Sequence, residues 1–135
     1  MTEISSIMAA KALEAGVKKA SNLNSPSSIA IIDSGRNLIA FMRMDGALLA
    51  SIEISQGKAF TARSLNMNSG DVYPHAQPGG AFFGVENSHS RPLVVFGGGI
   101  PITIDGSIVG AVGVAGGTID DDIAIANEVA TALGS

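Results

Sequence analysis

A chain of 135 residues with 46% hydrophobic and only 15% charged side chains has room for one buried core and little for a second, so a single domain over residues 1–135 is expected. A formal net charge of -4 excludes broad nucleic-acid binding, which needs clustered cations, and the absence of cysteine excludes disulfides, thiolate metal sites and cysteine nucleophiles. So little charge also leaves apolar surface that a small monomer hides poorly, which points to a homo-oligomer, and the cysteine-free composition points to the cytoplasm.

Met1 to Ile7 carries Glu3 and no basic residue, unlike a secretory signal, and no apolar run approaches the roughly 20 residues of a membrane span. Thr2 or Ser5 is placed to cap a helix running to about Ala20, with Ile4, Ile7, Met8 and Val17 on its apolar stripe. Lys18 and Lys19 lie near its end, where cations suit the helix dipole. Pro26 closes the polar connection that follows. Ile29 to Ile32 predicts a strand, Asp33, Ser34 and Gly35 a turn, and Asn37 to Arg43 a second strand. Both faces of that strand are largely apolar, as in a sheet covered on each side. Met44, Asp45 and Gly46 turn the chain into a helix from about Leu48 to Ser64. Gly57 in its middle costs about 1 kcal/mol relative to alanine and implies a close neighbour.

Asn66 to Gly80 is rich in Asn, Ser, Gly and Pro, with Tyr73 and His75 embedded, and reads as an ordered loop forming a pocket wall. Ala81 to Glu86 predicts a short helical turn. From Pro92 to Gly117, β-branched runs are broken by glycine. Leu93 to Phe96 predicts a strand, and Ile100 to Val114 a hairpin folded at Asp105-Gly106, a type I′ signal. Thr118 is a helix N-cap with Asp121 at the capping-box position, and Ile119, Ile123, Ala126, Ala130 and Leu133 are the buried stripe of the closing helix. This order of elements predicts a mostly antiparallel five-stranded sheet with helices packed on it.

Nucleotide fingerprints are excluded: Gly97 to Gly99 do not form G-x-G-x-x-G, and no Walker lysine follows a glycine-rich loop. Turns and close packing account for these glycines; the alternative is an anion-binding nest around Gly98 and Gly99. His75 and His89, even with Asp71 or Glu86, fall short of a zinc ligand set, so no metal is assigned. No G-x-S-x-G elbow occurs. Arg43, Asp45 and Lys58 are more telling. Either Arg43 and Asp45 pair to fix a turn, or Arg43 and Lys58 present cations to a carboxylate. Lys58 has no carboxylate at helical spacing, since Glu53 lies five positions earlier. Met42, Met44 and Met67 suit either core filling or the wall of a cavity for a large planar ligand.

Several short pieces carry a further signal: Ala30-Ile31-Ile32-Asp33 with Gly35, Arg43-Met44-Asp45-Gly46-Ala47, Lys58-Ala59 with Thr61-Ala62, and Pro78-Gly79-Gly80. Gly97-Gly98-Gly99-Ile100-Pro101-Ile102 follows, then Gly106 through Gly110, Gly113, Gly116 and Gly117 to Asp121. In order and spacing the chain resembles, over nearly its whole length, the haem-degrading and haem-binding family. That family groups the glycolate-operon protein GlcG, the extracellular haem-binding protein HbpS and the C-terminal domain of PduO-type proteins. The resemblance implies a profilin-like α/β/α sandwich, assembly as a homotetramer or homo-octamer, and haem or a related tetrapyrrole as the cofactor of some members. Haem ligands in the family are described on an N-terminal helix or at the assembly surface; Met1 to Ala20 contains no histidine, and Ala115 stands where the family often has serine. The expected function is small-molecule binding, of haem or another carboxylate-bearing planar ligand, with Arg43, Asp45, Lys58, His75, Gly98 and Gly99 at the site. The alternatives are an enzyme acting on a small metabolite carboxylic acid and an oligomeric accessory subunit without catalysis.

Overall fold

Ser5 begins the first helix by accepting the Met8 N–H on its hydroxyl at 3.1 Å, and α1 runs Ser6–Asn22. The computed structural model describes residues 3–134, so Thr2, the other candidate cap, lies outside the described residues. The buried side of α1 is made of Ala9, Ala12, Gly16 and Ala20, while Ile7 is 70% exposed. Small residues set the packing distance here: a Cβ on Gly16 would stand 2.6 Å from Val129 Cγ2.

β1 (Ser28–Asp33) and β2 (Leu38–Arg43) form a hairpin whose turn is organised by Asp33. Its Oδ1 accepts the N–H groups of Gly35 and Asn37 at 2.9 and 2.8 Å. α2 (Ser51–Leu65) starts at Ser51 rather than Leu48, because the Leu48 carbonyl is used to close a turn, accepting both the Ser51 N–H and its hydroxyl. α3 (Ser69–Ala76) occupies the segment expected to be loop. Its polar composition and Pro74 disguise it, but Val72 and Ala76, one turn apart, are buried. A short 3-10 turn at Val85–Asn87 stands for the helical turn expected at Ala81 to Glu86. β3 (Gly99–Ile104) and β4 (Ser107–Ala115) are the expected hairpin; Asp105 and Gly106 have φ of 50° and 80°, the left-handed pair that a type I′ turn requires. Thr118 caps α4 (Ile119–Leu133), its hydroxyl accepting the Asp121 N–H at 3.1 Å.

The strands form one antiparallel sheet in the order β2-β1-β4-β3. Ile29 and Ile31 of β1 with Val112 and Val114 of β4 pack against α1 and α4, in a core with Ala9, Ala12, Ile125 and Val129. On the opposite face Ile32 and Ala111 meet Ala59 and Ala62 of α2. Gly99 and Gly113 face each other across the β3–β4 ladder, and α2 lies directly on them. A Cβ on Gly113 would overlap the Ser55 carbonyl oxygen, and one on Gly99 the Lys58 carbonyl oxygen.

The described residues form an α/β sandwich with four helices and four strands, and this corrects the expected five-stranded, profilin-like sheet. The difference is Leu93 to Phe96, which joins no strand. The Leu93 N–H donates to the Glu86 carbonyl at 3.1 Å and the Val94 N–H to Thr61 Oγ1 at 2.8 Å. Leu93 and Val95 are buried in a second core with Phe60, Val72 and Ala76, so the run packs on helices instead of extending the sheet. Helices cover both faces of the sheet, as expected, but β2 is an edge strand beside β1 alone, and its Leu38 and Met42 remain 49% and 44% exposed.

Candidate functional site

The glycine pair at Gly99 and Gly113 brings the underside of α2 so close to the sheet that Lys58 enters the interior. Its side chain is 1% exposed, and Nζ donates to the Val114 carbonyl at 2.8 Å and to Asp122 Oδ2 at 3.0 Å. Asp122 is 2% exposed; its other carboxylate oxygen accepts the Gly117 N–H at 3.1 Å, and it lies in the first turns of α4, where negative charge is favoured. The Phe96 ring centroid lies 5.3 Å from Lys58 Nζ. Burial lowers the Lys58 pKa and raises that of Asp122, in each case against the attraction and hydrogen bond of the partner.

Gly98 completes this arrangement. Its φ of 124° suits glycine alone, and a Cβ there would stand 2.6 Å from the Val114 oxygen and 2.9 Å from Lys58 Nζ. The Gly99 N–H donates to Ser69 Oγ at 2.8 Å, and that hydroxyl donates to the Phe96 carbonyl at 2.7 Å, which ties α3 to the glycine stretch.

Beside the pair the surface opens into a groove of adjoining hollows. The first, about 150 Å³, is lined by Leu48, Ser51, Lys58, Phe96, Ala115, Gly116, Gly117, Ile119 and Asp122. A second, about 350 Å³, shares Phe96 and Ile119 with it and has Asp71 and Tyr73 of α3 on its wall. A third, about 110 Å³, shares Gly97 and Ile123 with the second and reaches Gly98, Gly99 and Asn127. Phe96, Ile119 and Leu48 are 40%, 43% and 67% exposed, so apolar side chains border a groove with an ion pair at its base. Ala126, Ala130 and Leu133 of the expected α4 stripe are buried, but in the first turns Asp122 and Ile125 take the inner positions expected for Ile119 and Ile123, which leaves Ile119 available.

Of the residues expected at the site, Lys58, Gly98 and Gly99 line this groove. Arg43 is exposed at the end of β2, opposite Ser28, which in turn faces Ala115. Two strand spacings, about 10 Å, therefore separate its backbone from the groove. Arg43 and Asp45 form no ion pair, since the only one among the described residues is Lys58–Asp122. The turn between them and α2 is held by backbone bonds, Met44 N–H to Ser27 O at 2.9 Å and Ala47 N–H to Met44 O at 3.1 Å. His75 is exposed on α3 outside the groove lining, its ring 5.5 Å from that of Phe82. His89 is also exposed, with Nδ1 2.9 Å from Ser88 Oγ. The groove also takes Asp122, Phe96 and Ile119, which no sequence motif marks as site residues. Three consecutive acids in a first turn are all explained by the helix dipole, and nothing local marks the one that turns inward.

No helix among the described residues is long and apolar enough to cross a membrane. Fold and groove together define a small antiparallel α/β sandwich domain with an open apolar cleft over a buried lysine–aspartate pair. A family model described as haem degrading protein HbpS-like matches residues 4–131, and the chain belongs to that family. It is 38% identical over 113 residues to an uncharacterized 15.0 kDa protein from the dhaT-dhaS intergenic region of Citrobacter freundii, covering 84% of this chain and 78% of that protein. Among solved structures, Klebsiella pneumoniae protein ORFY is similar with a TM-score of 0.95 at 30% identity, over 100% of this chain and 94% of that one. The PduOC–haem complex is similar with a TM-score of 0.94 at 30% identity, over 98% of this chain and 96% of that one.

Proposed function

We propose that residues 1–135 act as one cytoplasmic small-molecule-binding domain that takes a planar, carboxylate-bearing ligand, haem foremost, along the groove and assembles with copies of itself. The observation that carries this reading is the apolar groove itself. Phe96 and Ile119 stand half-exposed on either side of a glycine stretch that cannot carry side chains, which leaves a flat-walled opening suited to the face of a ring system. The likeness to a family member solved as a haem complex supports the choice of ring system.

The groove's residues fit a tetrapyrrole in its faces and edges more fully than at its metal. Phe96, Ile119 and Leu48 fit the apolar faces, and Arg43 at the nearby sheet end fits a carboxylate. Neither histidine lines the groove and α1 has none, so Tyr73 is the side chain on its wall that offers a phenol oxygen to an iron. Lys58, already committed to Asp122, supports the base of the groove rather than the ligand's charge. When bound, haem would supply the redox chemistry, and the chain binding, orientation and exclusion of water.

Self-assembly into a tetramer or octamer is supported by the exposed apolar residues Leu49 and Phe83, 75% and 67% accessible, in a chain short of charge. Titration of the purified protein with hemin tests the ligand. A saturable change in the Soret band is expected, and the spectrum of free hemin persisting at micromolar protein would remove the haem reading. Light scattering on the eluting protein gives the subunit number, and a monomer at micromolar concentration would remove the assembly.

A further inference from the structure

On α2, away from the groove, Glu53, Gln56, Gly57 and Phe60 follow one another at helical spacing and line an open cavity of about 200 Å³ together with Arg91 and Pro92. Opposite charges line this cavity without meeting, because the only ion pair among the described residues is Lys58–Asp122. Arg91 is engaged elsewhere. Its guanidinium carbon lies 3.9 Å from the centroid of the Phe60 ring, a side chain only 4% exposed, and stacking of this kind leaves the N–H edge of the guanidinium free for an oxyanion. Arg36 sits over the same ring at 4.8 Å, held by a left-handed backbone with φ of 68° and by a hydrogen bond from Nη1 to Ser64 Oγ at 3.1 Å. The Phe60 end of the cavity is therefore positive and the Glu53 end negative. Seven helical steps separate them, about 10 Å along the axis. Between the two ends the wall is Gly57 and Pro92, which offer no charge.

We propose that this cavity binds a linear aminocarboxylate, with its carboxylate on Arg91, its ammonium on Glu53 and its methylene chain against Gly57 and Pro92. The axial spacing of about 10 Å between the Glu53 and Phe60 positions selects against an α-amino acid, whose two ionic groups share one carbon. An ω-amino acid spans the cavity. Arg36 strengthens the positive end, while Gln56, whose amide N–H is spent on the Ile52 carbonyl at 3.0 Å, keeps its carbonyl oxygen for the ammonium.

Calorimetric titration of the hemin-free protein with glycine, 4-aminobutanoate, 6-aminohexanoate, hexanoate and hexylamine tests the assignment. Saturable binding of 6-aminohexanoate is expected, with glycine and both singly charged analogues weaker by about tenfold or more, the loss of one charge-assisted contact. Glu53 and Arg91 are exposed, so their variants should fold, which circular dichroism checks. E53Q should bring 6-aminohexanoate down to the affinity of hexanoate, and R91A should abolish both. Absence of saturable binding at millimolar ligand, hexanoate binding as tightly as 6-aminohexanoate, or affinity unchanged in both variants would each overturn it. None of these outcomes bears on the groove, which shares no lining residue with this cavity.

Discussion

Lys58 and Asp122 meet at 3.0 Å with their side chains almost wholly out of solvent, although 64 residues separate them in the chain. A pair of this kind is held by mutual dependence. Lys58→Met or Asp122→Leu leaves a buried charge without a partner, and each should cost about 3–5 kcal/mol. The double replacement should recover most of that loss, because a packed apolar pair in place of a buried ion pair is neutral or stabilising by about 1–4 kcal/mol. Urea unfolding of the four proteins gives the coupling directly; additive losses in the double variant would show that the two side chains do not act as a pair.

The same pair fixes the sign of two pH slopes. Asp122 is raised by burial, so between the ordinary value of 3.8 and its folded value the native state holds a proton that the unfolded chain has released. Stability from this group falls as pH rises through that window. Lys58 is lowered by burial, so between its folded value and 10.5 the unfolded chain holds the extra proton and stability rises with pH. Relative to the K58M/D122L double variant, the wild type should show a more negative slope of unfolding free energy on the acid side and a more positive one on the alkaline side. Parallel pH profiles for the two proteins would contradict both directions.

The seating of α2 on glycine predicts a contrast between two alanine substitutions. Gly113→Ala drives a methyl group into the Ser55 carbonyl oxygen and to 2.6 Å from the Ala59 nitrogen, both backbone atoms of a packed helix, and should cost about 1–3 kcal/mol or more. Gly106→Ala meets no atom of the described residues within 4 Å and pays only for its φ of 80°, about 1–2 kcal/mol. Thermal unfolding should therefore rank Gly113→Ala below Gly106→Ala, and should leave hemin binding changed only in the former, because Lys58 follows α2.

Where local chemistry decides structure, the chain was legible: the Ser5 and Thr118 caps, the Asp105-Gly106 turn and the family pieces from Ala30 to Asp121 all use short-range signals. Leu93 to Phe96 misled because an apolar run of strand length looks the same whether it finds a sheet edge or a helix face, and Thr61 Oγ1 provided the latter. α3 was hidden by residues poor in helix propensity, since tertiary burial of Val72 and Ala76 stabilises it. At the site, Lys58, Gly98 and Gly99 could be picked out as unusual, but their partner Asp122 could not. Pairing across 64 positions leaves no periodicity in a single sequence.

With no imidazole on the groove wall, the ring system should contribute more to affinity than the iron. Protoporphyrin IX without metal is expected to bind within about tenfold of hemin, a difference of roughly 1.4 kcal/mol. Tyr73→Phe should narrow the gap by weakening hemin alone, while Phe96→Ala should weaken both, by loss of an aromatic wall worth about 0.5–1.5 kcal/mol beyond its area. Fluorescence of the porphyrin and the Soret band of hemin follow the two titrations. Failure of the metal-free ring to bind would mean that an iron ligand, and not the groove, holds the molecule.

Arg43 separates the contribution of charge from that of the ring. It lies at the end of an edge strand, is exposed and has no ion-pair partner among the described residues, so its removal leaves no buried group stranded and should leave unfolding unchanged. Its register opposite Ser28, and through Ser28 opposite Ala115, leaves its backbone about 10 Å from the first hollow, a distance a long guanidinium side chain can shorten toward a propionate projecting from the proposed ring. An exposed contact of this kind is screened by water and salt, so Arg43→Ala should weaken protoporphyrin IX by only about two- to fivefold, and less at high ionic strength. The dimethyl ester of the same porphyrin has the ring without the carboxylates. Arg43→Ala should leave its affinity unchanged, whereas Phe96→Ala should reduce it as much as it reduces that of the free acid. Equal losses for acid and ester on replacing Arg43 would assign the residue to the shape of the rim, and an unchanged affinity for the acid would place the carboxylates at the other end of the groove, beside Asn127.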